Sequence, residues 1–182
     1  TSRRQRQMCI RDRLKGANLM TDEHDYKYYT NLGITETNKG NFEEAVENFS
    51  KAINLNPTYA LAHFSKAIAY HNLNRLEEAY ENYSKAIVIC PQMVDAYFNR
   101  AQTILADENA DEEELNKALQ DLETAIELDS KFVDAYFYAA LIKKKLKDYG
   151  GALNYLDKVI EIEPHAVHSR ALKKLILQKY LK

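Results

Sequence analysis

Apolar residues along this chain recur at helical rather than strand spacing. Phe42, Ala45, Val46, Phe49 and Ile53 fall at i, i+3, i+4, i+7 and i+11, and at 3.6 residues per turn these offsets make one stripe on one face of an α-helix. Leu76, Ala79, Tyr80, Tyr83 and Ile87 repeat the pattern. Leu115, Ala118, Leu119, Leu122 and Ile126 do so again, and then Tyr149, Ala152, Leu153, Leu156 and Ile160. The same position in each stripe is alanine, small enough to let a neighbouring helix backbone come close. The steps from Ala45 to Ala79 and from Ala118 to Ala152 are equal, and the step between them is longer by five. The repeating unit is therefore about 34 residues long, with one insertion.

A second helical stretch precedes each stripe. It opens on a bulky ring, Tyr29, His63, Tyr97 or Tyr136, and these recur with the same period and the same longer third interval. Turn signals separate the two helices of a unit: Gly40-Asn41 before Phe42, and Asn74 before Leu76. Asn41 with Glu44, Asn74 with Glu77 and Asp111 with Glu114 each read as a capping-box variant, a side-chain acceptor three residues ahead of a carboxylate. Units close at Pro57, Pro91, Ser130 and Pro164, and proline breaks a helix while suiting the first turn of the next. The pattern predicts four helix-turn-helix units over about 26–59, 60–93, 94–132 and 133–166. A helix over 167–182 follows, with Ala171, Leu172, Leu175 and Ile176 on one face and Lys173, Lys174 and Lys179 largely elsewhere. This suits the solvating helix that closes a repeat array. Leu177, Tyr180 and Leu181 broaden its apolar stripe, so it either docks deeply or leads into further chain.

This set of residues resembles the tetratricopeptide repeat. The family's tryptophan, leucine and glycine of the first helix are met by Tyr29, Leu32 and Gly33; by His63, Lys66 and Ala67; by Tyr97, Arg100 and Ala101; and by Tyr136, Ala139 and Ala140. Its second-helix alanine, aromatic, alanine and proline appear as Ala45, Phe49, Ala52 and Pro57, and as Ala79, Tyr83, Ala86 and Pro91. Ala118, Leu122, Ala125 and Ser130 follow, then Ala152, Leu156, Val159 and Pro164. The third unit, with its insertion and without its proline, diverges most. The resemblance implies an all-α fold, a right-handed superhelical α-solenoid of about four repeats plus a C-terminal capping helix, forming a single domain over 20–182.

It also implies that the first helix of each unit lines a concave face where peptides bind. On that face fall Ile34, Leu61, Phe64, Ile68, Phe98, Asn99, Gln102, Phe137, Tyr138 and Leu141. The residue after each packing ring is Thr30, Phe64, Phe98 or Phe137, so three consecutive units offer a phenylalanine ladder. The expected partner is a protein or peptide with hydrophobic anchors, held by a non-catalytic scaffold. Some relatives clamp a chaperone's C-terminal carboxylate with Lys, Asn and Arg. Here the corresponding positions hold Thr30, Ile34, Ser65, Asp95 and Asn99, and Asp95 repels such a group. Two rivals are a structural module that pairs with its own copies through the C-terminal helix, and a repeat segment of a larger multidomain protein.

Composition narrows the picture further. With only 5 Gly and 3 Pro in 182 residues, turn-rich β folds are disfavoured. The mean hydropathy of −0.53 and the lack of any apolar run long enough for a bilayer predict no membrane association. The formal charge of −2 conceals an asymmetry, because residues 1–19 carry six basic and one acidic side chain. Without them, 19 basic and 26 acidic residues remain, a net −7, which disfavours nucleic acid. The opening string Met8 to Arg13 resembles the translation of a sequencing adapter, so residues 1–19 are expected to be a non-native, disordered leader.

No phosphate-binding glycine loop, nucleophile elbow or zinc-binding His-Glu-x-x-His motif is present in the sequence, so neither catalysis nor a cofactor is expected. His165 and His168 have no third ligand in sequence and read as solvated. Cys9 and Cys90 stand far apart and form no Cys-x-x-Cys pair, so they offer no disulfide framework or thiolate zinc site. Cys90 therefore reads as a partly buried thiol and the compartment as the cytoplasm. The acidic residues Asp107, Glu108 and Asp111 to Glu114 read as a solvated loop and helix start.

Overall fold

The structure, a computed structural model, describes residues 25–180. The leader expectation for residues 1–19 lies outside them. The described residues form nine α-helices and no strand: α1 (Tyr26–Lys39), α2 (Phe42–Leu55), α3 (Ala60–Asn72), α4 (Leu76–Ile89), α5 (Val94–Ala106), α6 (Glu112–Leu128), α7 (Val133–Lys145), α8 (Tyr149–Ile162) and α9 (Val167–Lys179). They fall into two compact units, one ending at Ala106 and the other running from Asp107. The division coincides with the five-residue insertion, and each unit is described by itself.

In the first unit α1 packs on α2 and α3 on α4, while α2 meets α3 and α4 meets α5. The alanine columns explain how closely. Ala45 and Ala79 are wholly buried, as are Ala52 and Ala86 two turns on. Phe49 and Tyr83 fill the space between them. Gly33 on α1 faces the Phe49 ring so tightly that a Cβ would stand 2.6 Å from Cε1. The larger core joins Phe64, Ala67, Ala79, Tyr83, Ala86, Ile87, Cys90, Met93 and Ala96. Cys90 is buried there and disulfide-bonded, which corrects its reading as a thiol.

In the second unit α6 meets α7, α7 packs on α8, and α9 packs on α8. Ala140, Ala152, Leu156 and Ile176 form the core, flanked by Phe137, Tyr149, Leu153, Tyr155 and Leu172. The Tyr155 hydroxyl donates to Glu123 Oε1 at 2.7 Å, tying α8 to α6. Burial first, and then that bond, push its phenol well above the usual range. On α9 only Ser169 and Ile176 are buried, and Val167, Leu175 and Leu177 face solvent. The broad apolar stripe of this helix is therefore docked along one edge, with Tyr180 stacked 4.4 Å from Tyr149.

The turns between paired helices share one device. Gly40, Asn74 and Lys147, at equivalent repeat positions, all have positive φ, of 84°, 57° and 61°. A left-handed residue there ends the first helix and redirects the chain. Of the three capping boxes expected, Asp111 with Glu114 forms, with both cap bonds at 2.9 Å. Asn41 sits at a helix start without capping it, because its amide donates instead to Glu36 Oε2 at 2.8 Å. Asn74 is displaced from the cap position, which Arg75 occupies, by its own left-handed turn. Asp148 caps α8 through Gly151 N at 2.8 Å, a cap the spacing search missed because no carboxylate stands three residues on.

Candidate peptide-binding face

The first helices of the first unit stand side by side, α1 touching α3 and α3 touching α5. Side chains at every third or fourth position of these helices therefore share a face. The ten residues expected on it separate by burial. Phe64 is only 8% exposed and its ring lies 5.7 Å from that of Tyr83, so it belongs to the core rather than to an open ladder. Thr30, at the equivalent place on α1, is likewise buried and donates to Tyr26 O at 2.7 Å.

Leu61 and Ile68 are half-buried, their inner sides against the core. Ile34 leans in the same way on the cluster of Ala45, Phe49 and Ala69. Phe98, Asn99 and Gln102 are half-buried on α5. Asn99 is fixed by its own helix, Nδ2 donating to Asp95 O at 2.7 Å. In the second unit Phe137, Tyr138 and Leu141 are half-buried on α7, and Phe137 meets Tyr138 edge-on at 6.0 Å. The structure thus brings Leu61, Ile68, Phe98, Asn99 and Gln102 onto adjacent helices of one unit, and places Phe137, Tyr138 and Leu141 on a single helix of the other.

One polar link on this face was missed by the sequence reading. Thr103 on α5, 2% exposed, donates to Asn99 O at 2.9 Å and stands 3.3 Å from His71 Nδ1 on α3. The hydroxyl thereby joins α5 to α3 through the imidazole. Burial holds His71 below the usual histidine range. A threonine four residues after Asn99 is the only trace of this link in the sequence, because its partner lies on another helix, one repeat away.

Hairpins that bury small residues between paired helices, and set successive first helices on one face, define an α-helical repeat protein. A tetratricopeptide-repeat profile matches residues 33–74 and 69–108, and the Fis1 C-terminal tetratricopeptide repeat matches 133–182. The chain belongs to the tetratricopeptide-repeat family, as an all-α solenoid of such repeats with a C-terminal helix.

An uncharacterized protein of Methanocaldococcus jannaschii is 49% identical over 49 residues, 27% of this chain and 57% of that protein. The chain therefore spans little more than half the length of this curated relative. Among solved structures, MamA is similar with a TM-score of 0.74 at 19% identity, over 88% of this chain and 85% of that one. The first repeat domain of Spaghetti (RPAP3), bound to an HSP90 peptide, gives 0.64 at 20% identity over 71% and 99%. A Pseudomonas aeruginosa protein, pilF, gives 0.71 at 20% over 85% and 68%. At these identities the likeness concerns the fold alone.

Proposed function

We propose that the chain is a non-catalytic scaffold that holds a partner peptide against its first-helix face. The observation that carries this is the row of half-buried apolar side chains on α3 and α5, Leu61, Ile68 and Phe98, beside the side-chain amides of Asn99 and Gln102. Leu61 and Ile68 are packed against the core on their inner sides, and all three groups are incompletely covered. An amphipathic helix or an extended peptide with apolar anchors would remove that surface from water, and the amides would set its register. Asp95 lies in the first turn of α5. Its charge argues for anchoring through side chains rather than through a terminal carboxylate.

A peptide selected from a displayed random library against the whole chain supplies the test. Phe98→Ala should weaken its binding by about tenfold, as loss of an aromatic anchor does, while Val88→Ala, on an exposed site of α4, should leave it unchanged. Amidating the peptide C-terminus should not matter. Equal affinity for the Phe98 variant and the parent would reject the assignment.

Self-pairing through α9 is the second reading, favoured by the exposure of Val167, Leu175 and Leu177. Light scattering across a concentration range separates it, since an invariant monomer mass rejects it. Among the described residues no helix is long and apolar enough to cross a membrane, and the proposed partner is a protein rather than a lipid surface or a nucleic acid.

A further inference from the structure

The last helix of the second unit is set like a first helix. On α3, Ala62 and Ala69 are wholly buried, and at the corresponding repeat positions Ala96 and Thr103 are buried on α5, and Ala135 and Ile142 on α7. On α9 the same two positions hold Ser169 and Ile176, again buried, and Ile176 shares one core with Ala140 of α7 and Leu156 of α8. Helix α9 therefore has the same rotation about its own axis as α3, α5 and α7. Its other edge differs. Where Gly33, Ala67 and Ala140 meet the second helix of their own hairpins, α9 carries Lys174, and in the place of the packing rings it carries Arg170, both exposed. That edge is built for water, which leaves the peptide-face positions of α9 as the ones to account for.

The shared setting puts Leu175, 45% exposed, in the row of half-buried Leu141, one repeat period earlier. Offsets of i, i+4 and i+8 give Phe137, Leu141 and Lys145 along this side of α7, and Ala171, Leu175 and Lys179 along this side of α9. Each helix thus runs from apolar to basic, and Lys144 stands beside Lys145. Ion pairing separates these lysines from their neighbours. Lys143 pairs with Asp148 at 2.9 Å, and Lys173 pairs with Asp157. Among the described residues no carboxylate comes within ion-pair distance of Lys144, Lys145 or Lys179. Lys179 lies 5.3 Å from the ring of Tyr180, a contact that leaves its charge whole. The dipole at the C-terminus of α7 amounts to about half a charge, too little to offset the lysines gathered there. Asp134 stands in the first turn of α7, at the opposite end, so the face is polarised along its length.

We propose that α7 and α9 form a second peptide-binding face, belonging to the second unit alone, which takes a segment with an apolar anchor followed by acidic side chains. The anchor sits on Leu141 and Leu175, and the carboxylates meet Lys144, Lys145 and Lys179. This extends the first-helix reading above to another set of residues and rests on it. The anchor removes the open side of Leu175 from water, and the carboxylates supply the counter-charge that the chain itself does not place there. Helix α9 is then a working part of a binding surface as well as the end of the array.

Methyl NMR of the whole chain tests the face, with a blocked peptide of two leucines, a glycine and three glutamates, and a control peptide carrying glutamines in place of the glutamates. The glutamate peptide should shift the Leu141 and Leu175 methyl signals saturably, and the control should bind about tenfold more weakly at about 50 mM salt. Leu175→Ser should weaken binding about fivefold, as loss of part of an aliphatic contact does. Leu177→Ser, equally exposed on the far side of the same helix, should leave it unchanged. Lys145→Gln with Lys179→Gln should weaken binding about fivefold, and Lys145→Arg with Lys179→Arg should retain it. Phe98→Ala lies in the other unit and should not alter this titration, so failure here and failure of the first-unit face are read separately. Shifts at Leu61 in place of Leu141 and Leu175 would return the peptide to the first unit and overturn the proposal. An unmoved Leu175, equal affinity for the glutamine peptide, equal loss in the Leu177 variant, or Leu175 shifts that follow chain concentration without peptide would each overturn it as well.

Discussion

At position 33 a single missing methyl group sets the distance between two helices. The Phe49 ring occupies the space that a Cβ at Gly33 would need, and three of its atoms lie within 2.9 Å of that point. Phe49 is wholly buried, so the ring has little room to yield. Gly33→Ala should therefore destabilise the protein by about 1 to 3 kcal/mol, as overpacking a close-packed core does, despite alanine's better helix propensity. Urea denaturation measures it. A histidine pair gives the second residue-scale expectation. Burial depresses His63, against the opposing pull of its bond to Pro57 O at 3.0 Å, and burial also depresses His71. The unfolded chain, with histidines near the ordinary value of about 6.5, then takes up protons before the folded one. Stability should be full above that value and fall as the pH drops below it towards the folded values. The urea midpoint should be lower at pH about 5.5 than at pH about 7.5, and His63→Gln with His71→Gln should flatten that difference.

Helices here begin and end for reasons the sequence shows unevenly. The Asp111 and Glu114 side chains exchange bonds with each other's backbone, so Asp111→Ala should lower stability by about 1 kcal/mol. Asn41→Ala should cost far less, since the Asn41 amide serves Glu36 rather than its own helix start. A difference in denaturation midpoint between the two variants checks both statements. Both starts carry the same motif, and a spacing rule cannot tell them apart because the competitor, Glu36, lies in the preceding helix. The alanine columns were legible for the opposite reason. Ala45, Ala79, Ala118 and Ala152 recur because each repeat must satisfy the same helix approach, and all four are wholly buried. The face residues lie between these cases. Helical periodicity puts Phe64 and Phe98 at the same repeat position, but only the tertiary packing shows that Tyr83 draws the first into the core while the second stays half-covered.

Stability in a repeat protein is approximately a sum of units and their interfaces, so it need not be uniform along the chain. The core that spans α3 and α4 and reaches Ala96 on α5 is the largest of the first unit. In the second, α9 packs chiefly on α8 and keeps three large apolar side chains in solvent. Amides of α3 and α4 should accordingly exchange with deuterium most slowly, and those of α9 most quickly among the helices. Exchange of α9 as slow as that of α4 would reject this ranking. The insertion after Ala106 marks where the chain divides into its two units. The sequence shows the five additional residues through the change in repeat period, yet their consequence for compactness depends on contacts that periodicity does not encode.

The chain contains no tryptophan, and His63 occupies the position where related repeats carry one. Its imidazole is enclosed, with Nε2 against Pro57 O. An indole there would have a ready acceptor for its N–H, so His63→Trp would install a lone fluorophore inside one hairpin. Its emission colour would report the opening of that hairpin by itself, an optical gauge for a molecule whose thirteen tyrosines otherwise speak together.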